Sequence, residues 1–300
     1  MQLTVESTSS LRFDDGTPVR AASAIAPFGD GWLVVQDDAT HAAWWRGDTV
    51  TPVRVVDAVD GLEEFSSAAG TKHLKPDFEA ACAITSGSVL LLGSGSTDAR
   101  MRASLVTPES FAVADLTPVY HRVAEAIGIP VTRLNLEGAC RDGDMLHWFQ
   151  RGNAAAGTPT ARVSVSLPAL LSAFTGDAGD IKVTDTRRFD LGTVDGVALA
   201  VTDAVTLPGG RVLVSAAAED APNAIDDGPV VASALALLDG ERVLDVAEIP
   251  VGPSGPYKVE GLAVAAEVPG GVRLHAVVDA DDTSVASSRL ALQVLVTPRP

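Results

Sequence analysis

Lysine is almost missing from this chain, with only Lys72, Lys75, Lys182 and Lys258 among its 300 residues. Basic residues of both kinds number 22 against 39 acidic ones, a formal charge of −17. Phosphate backbones and anionic headgroups are held by clustered Lys and Arg that displace counterions, so this balance excludes nucleic acid and membrane surfaces as partners. Cysteine is scarcer still. Cys82 and Cys140 could in principle pair, but each falls three residues after a glutamate at the same point of two successive repeats, on neighbouring sheets, which favours buried free thiols. No apolar run approaches the ~18 residues that a membrane-spanning helix needs, and the opening segment from Met1 to Thr8 has no basic stretch followed by an apolar one. The expectation is a soluble, cytoplasmic, monomeric protein. Also missing are His-Glu-x-x-His, Gly-x-Ser-x-Gly and paired-cysteine motifs, so no fingerprint marks a zinc protease or a serine hydrolase.

What the chain does contain is material for a sizeable core, 46% hydrophobic residues beside 20% charged, and a repeat. An apolar residue, an acid, a small residue and then alternating apolar positions recur as Phe78-Glu79-Ala80-Ala81-Cys82, Leu136-Glu137-Gly138-Ala139-Cys140, Val194-Asp195-Gly196-Val197-Ala198 and Val259-Glu260-Gly261-Leu262-Ala263. The acids stand 58, 58 and 65 residues apart, and a copy without the acid begins near Ala22, 57 residues before Glu79. From Glu260 through the C-terminus and on to Ala22 is a further 62 residues. Five nearly equal units therefore fill the chain as a closed ring.

Each unit holds short apolar-rich segments separated by turn signals, the pattern of strands. The fifth unit has only three, and its missing outer strand is expected from the N-terminus, between Leu3 and Phe13. Four antiparallel strands in each of five radial units predict an all-β, five-bladed propeller, a single domain with blades at about 14–57, 74–117, 132–191, 192–250, and 256–300 plus 1–13. Two helical segments interrupt it, at 118–128 and 168–174, as insertions between strands. His121 on the first is expected to face solvent, and His147 and His275 to pack within second strands. Trp44 and Trp45 suit either ligand stacking or a packed outer strand.

Neighbouring antiparallel strands run in opposite directions, so the start of each first strand and the end of each second strand lie on one face of the disc. Glu79, Glu137, Asp195 and Glu260 open first strands beside the axis. The second strands end in Gln36-Asp37-Asp38, Gly93-Ser94-Gly95-Ser96, Gln150-Arg151-Gly152-Asn153, Ala218-Glu219-Asp220 and Asp279-Ala280-Asp281-Asp282. Two carboxylates ~4 Å apart repel by ~4 kcal/mol at an effective dielectric of ~20, so such a ring cannot stay ionised and unpaired. Protonation, pairing with Lys75, Arg133 or Lys258, or a hard cation would each resolve it. Oxygen ligands without His or Cys favour calcium. The expected metal ligands are Glu79, Glu137, Asp195 and Glu260, with Ser23 or water where the first unit lacks its acid. The competing expectation is that each acid accepts backbone N–H groups and locks blade to blade. The polar stretch 218–229 is the longest loop on this face and accounts, on this reading, for the 65-residue spacing. Gly93-Ser94-Gly95-Ser96 lacks the third glycine and following helix of a dinucleotide loop. The stretch from Asp279 lacks the glycine and glutamate of a calcium loop, with Ser284 and Leu290 in their places.

The phrases Lys75-Pro-Asp-Phe-Glu-Ala, Gly93-Ser-Gly-Ser-Thr, Leu134-Asn-Leu-Glu-Gly-Ala, Gln150-Arg-Gly-Asn, Ala217-Ala-Glu-Asp, Asp227-Gly-Pro-Val-Val and Lys258-Val-Glu-Gly-Leu resemble an uncharacterised bacterial family of phytase-like or esterase-like propellers, a domain of unknown function. The resemblance spans nearly the whole chain. It implies a propeller fold and, by looser analogy, calcium-assisted phosphoester hydrolysis. Calcium-activated nucleotidases are similar in a narrower sense, with five blades and acids and serines around an axial calcium, whereas phytase propellers have six blades.

Two functional readings follow. In the first, a calcium-dependent hydrolase of phosphoesters or other esters, the metal polarises a water. Arg151, Arg100 and Lys75 orient an anionic group, Glu219 or Asp281 serves as base, and Ser94, Ser96, Asn153 and Asp220 complete the substrate-binding surface. In the second, the same mouth binds a small ligand or a partner's loop without turnover.

Overall fold

Short apolar segments cannot bury both faces alone, and in this chain they pair into five antiparallel sheets. The computed structural model describes residues 1–176, 181–220, 228–280, 282 and 284–296. The first blade is Ala22–Phe28, Gly31–Gln36, His41–Arg46 and Thr49–Arg54, and the second is Phe78–Thr85, Ser88–Gly93, Arg102–Val106 and Phe111–Asp115. The third is Leu136–Asp142, Met145–Gln150, Thr160–Ser166 and Val183–Phe189. The fourth, Val197–Thr206, Val212–Glu219, Val230–Asp239 and Arg242–Glu248, carries an extra two-residue strand, Thr193–Val194, on its inner side. The fifth blade is closed as expected: Lys258–Val268, Gly271–Asp279 and Ser288–Leu295 take Gln2–Ser10 as the fourth strand, Leu3 opposite Val294. The first strand of each blade packs against those of both neighbours, the first blade against the fifth included. The result is a closed five-bladed propeller with its core between the blades. Among the described residues, no helix is long and apolar enough to cross a membrane.

The helix Thr117–Ile127 is more than a surface insertion. It buries Val119, Tyr120, Val123, Ala124 and Ile127 within the core that joins the second and third blades. Gly128 ends it in the left-handed conformation at φ 79°, its N–H donating to the Ala124 and Glu125 carbonyls. Tyr120 packs edge-on against Trp148 with centroids 4.8 Å apart and donates its hydroxyl to the Gly93 carbonyl at 2.7 Å, fixing the loop that enters the axial face. His121 is exposed, as expected. Cys82 and Cys140 are free and buried, and burial pushes both thiols up to about 12. Trp44 meets Phe28, while Trp45 and Trp32 enclose His275, so the tryptophans are packing residues.

Candidate functional site: the axial mouth

All five first strands carry a β-bulge at the same point, where one extra residue stands without a partner across the ladder. Ala22 faces Gln36 and Ala24 faces Val35, which leaves Ser23 as that residue. By the same register the others are Glu79, Glu137, Thr202 and Glu260. A bulge re-aims the unpaired side chain, and Ser23, Glu79, Glu137 and Glu260 line one cavity of about 830 Å³ at the mouth of the channel.

Asp195 is a correction. It is exposed, at φ 51°, and forms with Gly196 (φ 83°) the two-residue turn between Thr193–Val194 and the fourth blade's first strand. Positive φ at both turn residues is the hairpin geometry that Asp-Gly favours. The fourth blade's bulge residue is Thr202, so the long interval runs from Glu137 to Thr202, through the unit that contains the helix Leu167–Ser172. The loop after Ala218 does not account for it.

The two hydroxyl bulges hold blades together. Ser23 Oγ donates to the Phe78 carbonyl at 2.7 Å, and Thr202 Oγ1 donates to the Val259 carbonyl at 2.6 Å, each reaching the next blade. Locking by a carboxylate also occurs, one residue beyond the bulge. Buried Asp203 accepts the Leu262 N–H at 2.7 Å. Burial raises its carboxyl well above the usual range, with the N–H groups of Leu262, Ala204 and Ala139 opposing that rise. The small residue after the acid has its own reason: a Cβ on Gly138 would come within 2.9 Å of the Asp203 backbone, and one on Gly261 within 2.8 Å of Ala24 Cα.

The remaining bulge residues are glutamates in two ionic clusters. In the first and second blades, the Lys75 ammonium touches Asp37, lies 2.6 Å from Asp77 Oδ1, and is 3.7 Å from Glu79 Oε1. Asp77 also meets Arg100 at 3.1 Å and accepts the Ser94 hydroxyl, while Ser96 lies 2.8 Å from Ser94 and accepts from Arg100 at 2.8 Å. Across the mouth, Arg151 bridges Glu137 at 2.8 Å and Glu219 at 2.6 Å, Asn135 donates to Glu137 at 2.6 Å, and Lys258 stands 3.4 Å from Glu260 and 3.9 Å from Glu219.

Counted together, six carboxyl groups (Asp37, Asp77, Glu79, Glu137, Glu219 and Glu260) meet four cations, Lys75, Arg100, Arg151 and Lys258. The excess appears in the proton affinities. Burial, with Asp37 and Asp77 nearby, raises Glu79 well above the usual carboxylate range. Burial likewise raises Glu137 against the pull of Arg151, and Glu260 against that of Lys258. Asp77 goes the other way: burial would raise it, but Lys75 and Arg100 together hold it below the ordinary value.

Of the residues expected at the site, Lys75, Glu79, Ser96, Arg100, Glu137, Arg151 and Glu260 line the axial cavity, and Ser94 supports it through Asp77. Asn153, Glu219 and Asp220 line a second cleft of about 430 Å³, which shares Arg133, Asn135 and Arg151 with the first. Asp281 lies outside the described residues. Sequence reasoning missed Asp77 and Asn135 as site residues. Both stand two residues before a bulge glutamate, as Lys258 does, and that second repeated polar position was the available signal.

Comparison with solved structures supports the propeller fold alone. A hypothetical protein from Leishmania major is 13% identical, aligning over 97% of this chain and 91% of its own with a TM-score of 0.51. MPT-4, a mannose phosphorylase from Leishmania mexicana solved with a phosphate ion, is 15% identical over 96% of this chain and 88% of its own, TM-score 0.47. The extracellular domain of BT4673 from B. thetaiotaomicron is 8% identical with a TM-score of 0.33, and although 90% of this chain aligns, it spans 27% of that protein. No curated protein matches the sequence. Residues 18–294 match a family of unknown function, DUF6929, and the chain belongs to that family.

Proposed function

We propose that the axial cavity hydrolyses a small uncharged molecule, an ester or a glycoside, by carboxyl acid–base chemistry. One observation carries this reading: in the two ionic clusters at the mouth six carboxyl groups meet four cations. Burial raises the proton affinities of Glu79, Glu137 and Glu260 while Lys75 and Arg100 lower that of Asp77, and neighbouring carboxyls with separated proton affinities are how a general acid and a base are made from one residue type. The raised glutamates hold protons for a leaving oxygen. Asp37, its side chain 19% exposed beside the 4% of Asp77, accepts a proton from the attacking water. As the bond to the leaving oxygen breaks, that oxygen takes the glutamate's proton, water's oxygen bonds to the carbon left behind, and solvent returns the proton from Asp37 to the glutamate.

The cations expected to orient a phosphate are each held by carboxylates, which turns the reading away from phosphoesters. Calcium meets a similar obstacle. Among the described residues, Asp37, Asp77 and Glu79 form the one trio whose oxygens approach within 4.8 Å of one another, and the Lys75 ammonium already contacts all three. The donor set fits an ammonium, and no step here runs through a metal.

The test is a screen of neutral esters and glycosides with Glu79→Gln, Glu137→Gln and Glu260→Gln beside the wild type. Turnover should occur without calcium, and the loss of the acting acid should cost about 10²-fold or more in kcat. A flat screen would leave ligand binding without turnover as the function of the mouth. Activity that appears only with added calcium would return the metal to the site.

A further inference from the structure

Resting on that reading, we propose that the substrate is a glycoside of an uncharged sugar, and that it seats on the inner end of the first blade with Glu79 and Glu260 holding its hydroxyl groups from either side. The ring of bulge residues is broken at that blade. The first strand of the first blade packs between those of the fifth and the second, so Ser23 stands between Glu260 and Glu79. Two places before the bulge, three blades carry Asp77, Asn135 and Lys258, and the first carries Ala21. Ala21, Ser23, Glu79 and Glu260 all line the axial cavity of about 830 Å³, a volume that encloses a small ligand. The fourth blade also has small residues at these places, Ala200 and Thr202, but neither lines that cavity. The first blade is thus where the mouth has two small residues in positions that longer polar side chains fill elsewhere around it.

What the two glutamates lack is a hydrogen-bond donor. Each already has a cation, Lys75 at 3.7 Å from Glu79 and Lys258 at 3.4 Å from Glu260. Neither accepts a hydrogen bond from a described residue, and neither has an oxygen sealed from solvent. Glu137 is the contrast, with Oε1 taken by Asn135 and Arg151 and Oε2 buried out of reach. Glu260 is only 9% exposed, and a polar group this deep is normally hydrogen-bonded. A ligand cation would stand beside the two ammoniums already present and be repelled by them. A neutral hydroxyl donates without adding charge, and a carboxyl accepts from it through a lone pair whether protonated or not. An alkyl ester offers no such donor, while a sugar offers several on one ring. Of the two substrate classes, the donorless carboxyls therefore select the glycoside.

The experiment titrates the full chain with methyl glycosides of glucose, galactose and mannose in both anomers, with tetrahydropyran, the same ring without its hydroxyls, and with ethylammonium, following binding by ligand-observed NMR. At least one glycoside should bind, and tetrahydropyran and ethylammonium should not. Ala21→Asn fills the gap on a backbone that suits it: Ala21 stands at φ 42°, in the left-handed region that asparagine enters more readily than alanine, and Asp77 holds the same position at φ 58°. This variant should weaken the bound glycoside about tenfold or more. Glu79→Gln and Glu260→Gln, each leaving one acceptor oxygen in place of two, should weaken it about threefold or more. Ala200→Asn, at the equivalent place outside the axial cavity, should change it by less than about twofold. No glycoside binding up to about 50 mM, binding that Ala21→Asn leaves unchanged, or ethylammonium or tetrahydropyran bound as tightly as any glycoside overturns the proposal. Turnover of neutral esters and not of glycosides also overturns it, while leaving the hydrolase reading intact. Glycosides that bind in the expected pattern and are never cleaved sink the hydrolase reading and keep the seat as a sugar site. Should Ala21→Asn fail to fold, the two glutamine variants decide, and unchanged binding in both overturns the proposal.

Discussion

The two halves of the mouth neutralise the same kind of charge with different geometries. Between the first and second blades one ammonium stands at the centre of three carboxyls, and two serines and Arg100 complete the shell of Asp77. Between the third, fourth and fifth blades a planar guanidinium spans two glutamates and a lysine spans two more contacts. An ammonium is a compact point charge that can collect several oxygens, while a guanidinium holds two partners in fixed directions. In the first half burial raises Glu79 while Lys75 and Arg100 draw Asp77 down, and in the second burial raises Glu137 against Arg151 and Glu260 against Lys258. Both halves thus hold carboxyls raised by burial, and the first also holds one that its cations draw down.

Lys75→Met should break this contrast most severely. Removing the centre of a buried cluster leaves uncompensated carboxylates, at a cost of about 3–5 kcal/mol in urea unfolding at pH 7.5. The same variant should show a thermal midpoint that rises with millimolar calcium as the ion takes the ammonium's place, and the wild type should show a smaller rise or none. A wild type that responds to calcium as strongly as the variant would show that Lys75 does not occupy a cation site. Arg151→Lys keeps the charge and loses the fork. It should cost about 1–2 kcal/mol, and a loss as large as that from Arg151→Met would mean that geometry outweighs charge in this half.

A pH series sharpens the comparison at the rim. Asp38, 3.2 Å from Arg20 on the cavity wall, is raised to about 6 from 3.8, first by burial and then by Asp37. A raised folded value means that its stabilising contribution is complete below 3.8 and is lost as pH rises through about 6. Asp38→Asn should thus be more stable than wild type by about 1–2 kcal/mol at pH 8, and the advantage should vanish toward pH 4. An advantage that is independent of pH would rule out proton linkage as its source.

The smallest effect tests the register. Thr202→Val removes the buried hydroxyl that reaches Val259 and should cost about 1 kcal/mol. Asp195→Asn, at an exposed turn that asparagine also tolerates, should stay within about 0.5 kcal/mol. The reverse order in urea midpoints would restore Asp195 to the ring.

The propeller and its closure were legible because they rest on local patterns: four apolar segments per unit, and a fifth unit short of one strand that Gln2–Ser10 supplies. Three of the four expected acids reach the cavity for the same reason, since Glu79, Glu137 and Glu260 occupy one position of one motif. Asp195 misled because Val-Asp-Gly-Val satisfies that motif and a two-residue hairpin equally well, and only strand pairing separates them. Asp77 stayed hidden in a loop whose φ of 58° turns the chain beneath Lys75.

The sequence by itself determined the number of blades, the free thiols and the polarity of the axial face, because periodicity, composition and strand direction are properties of the chain read in order. Tertiary structure alone decided which carboxyl meets which cation. Those contacts join residues from Asp37 to Glu260, and their energies depend on burial and on separations of a few ångströms that the order of residues does not contain.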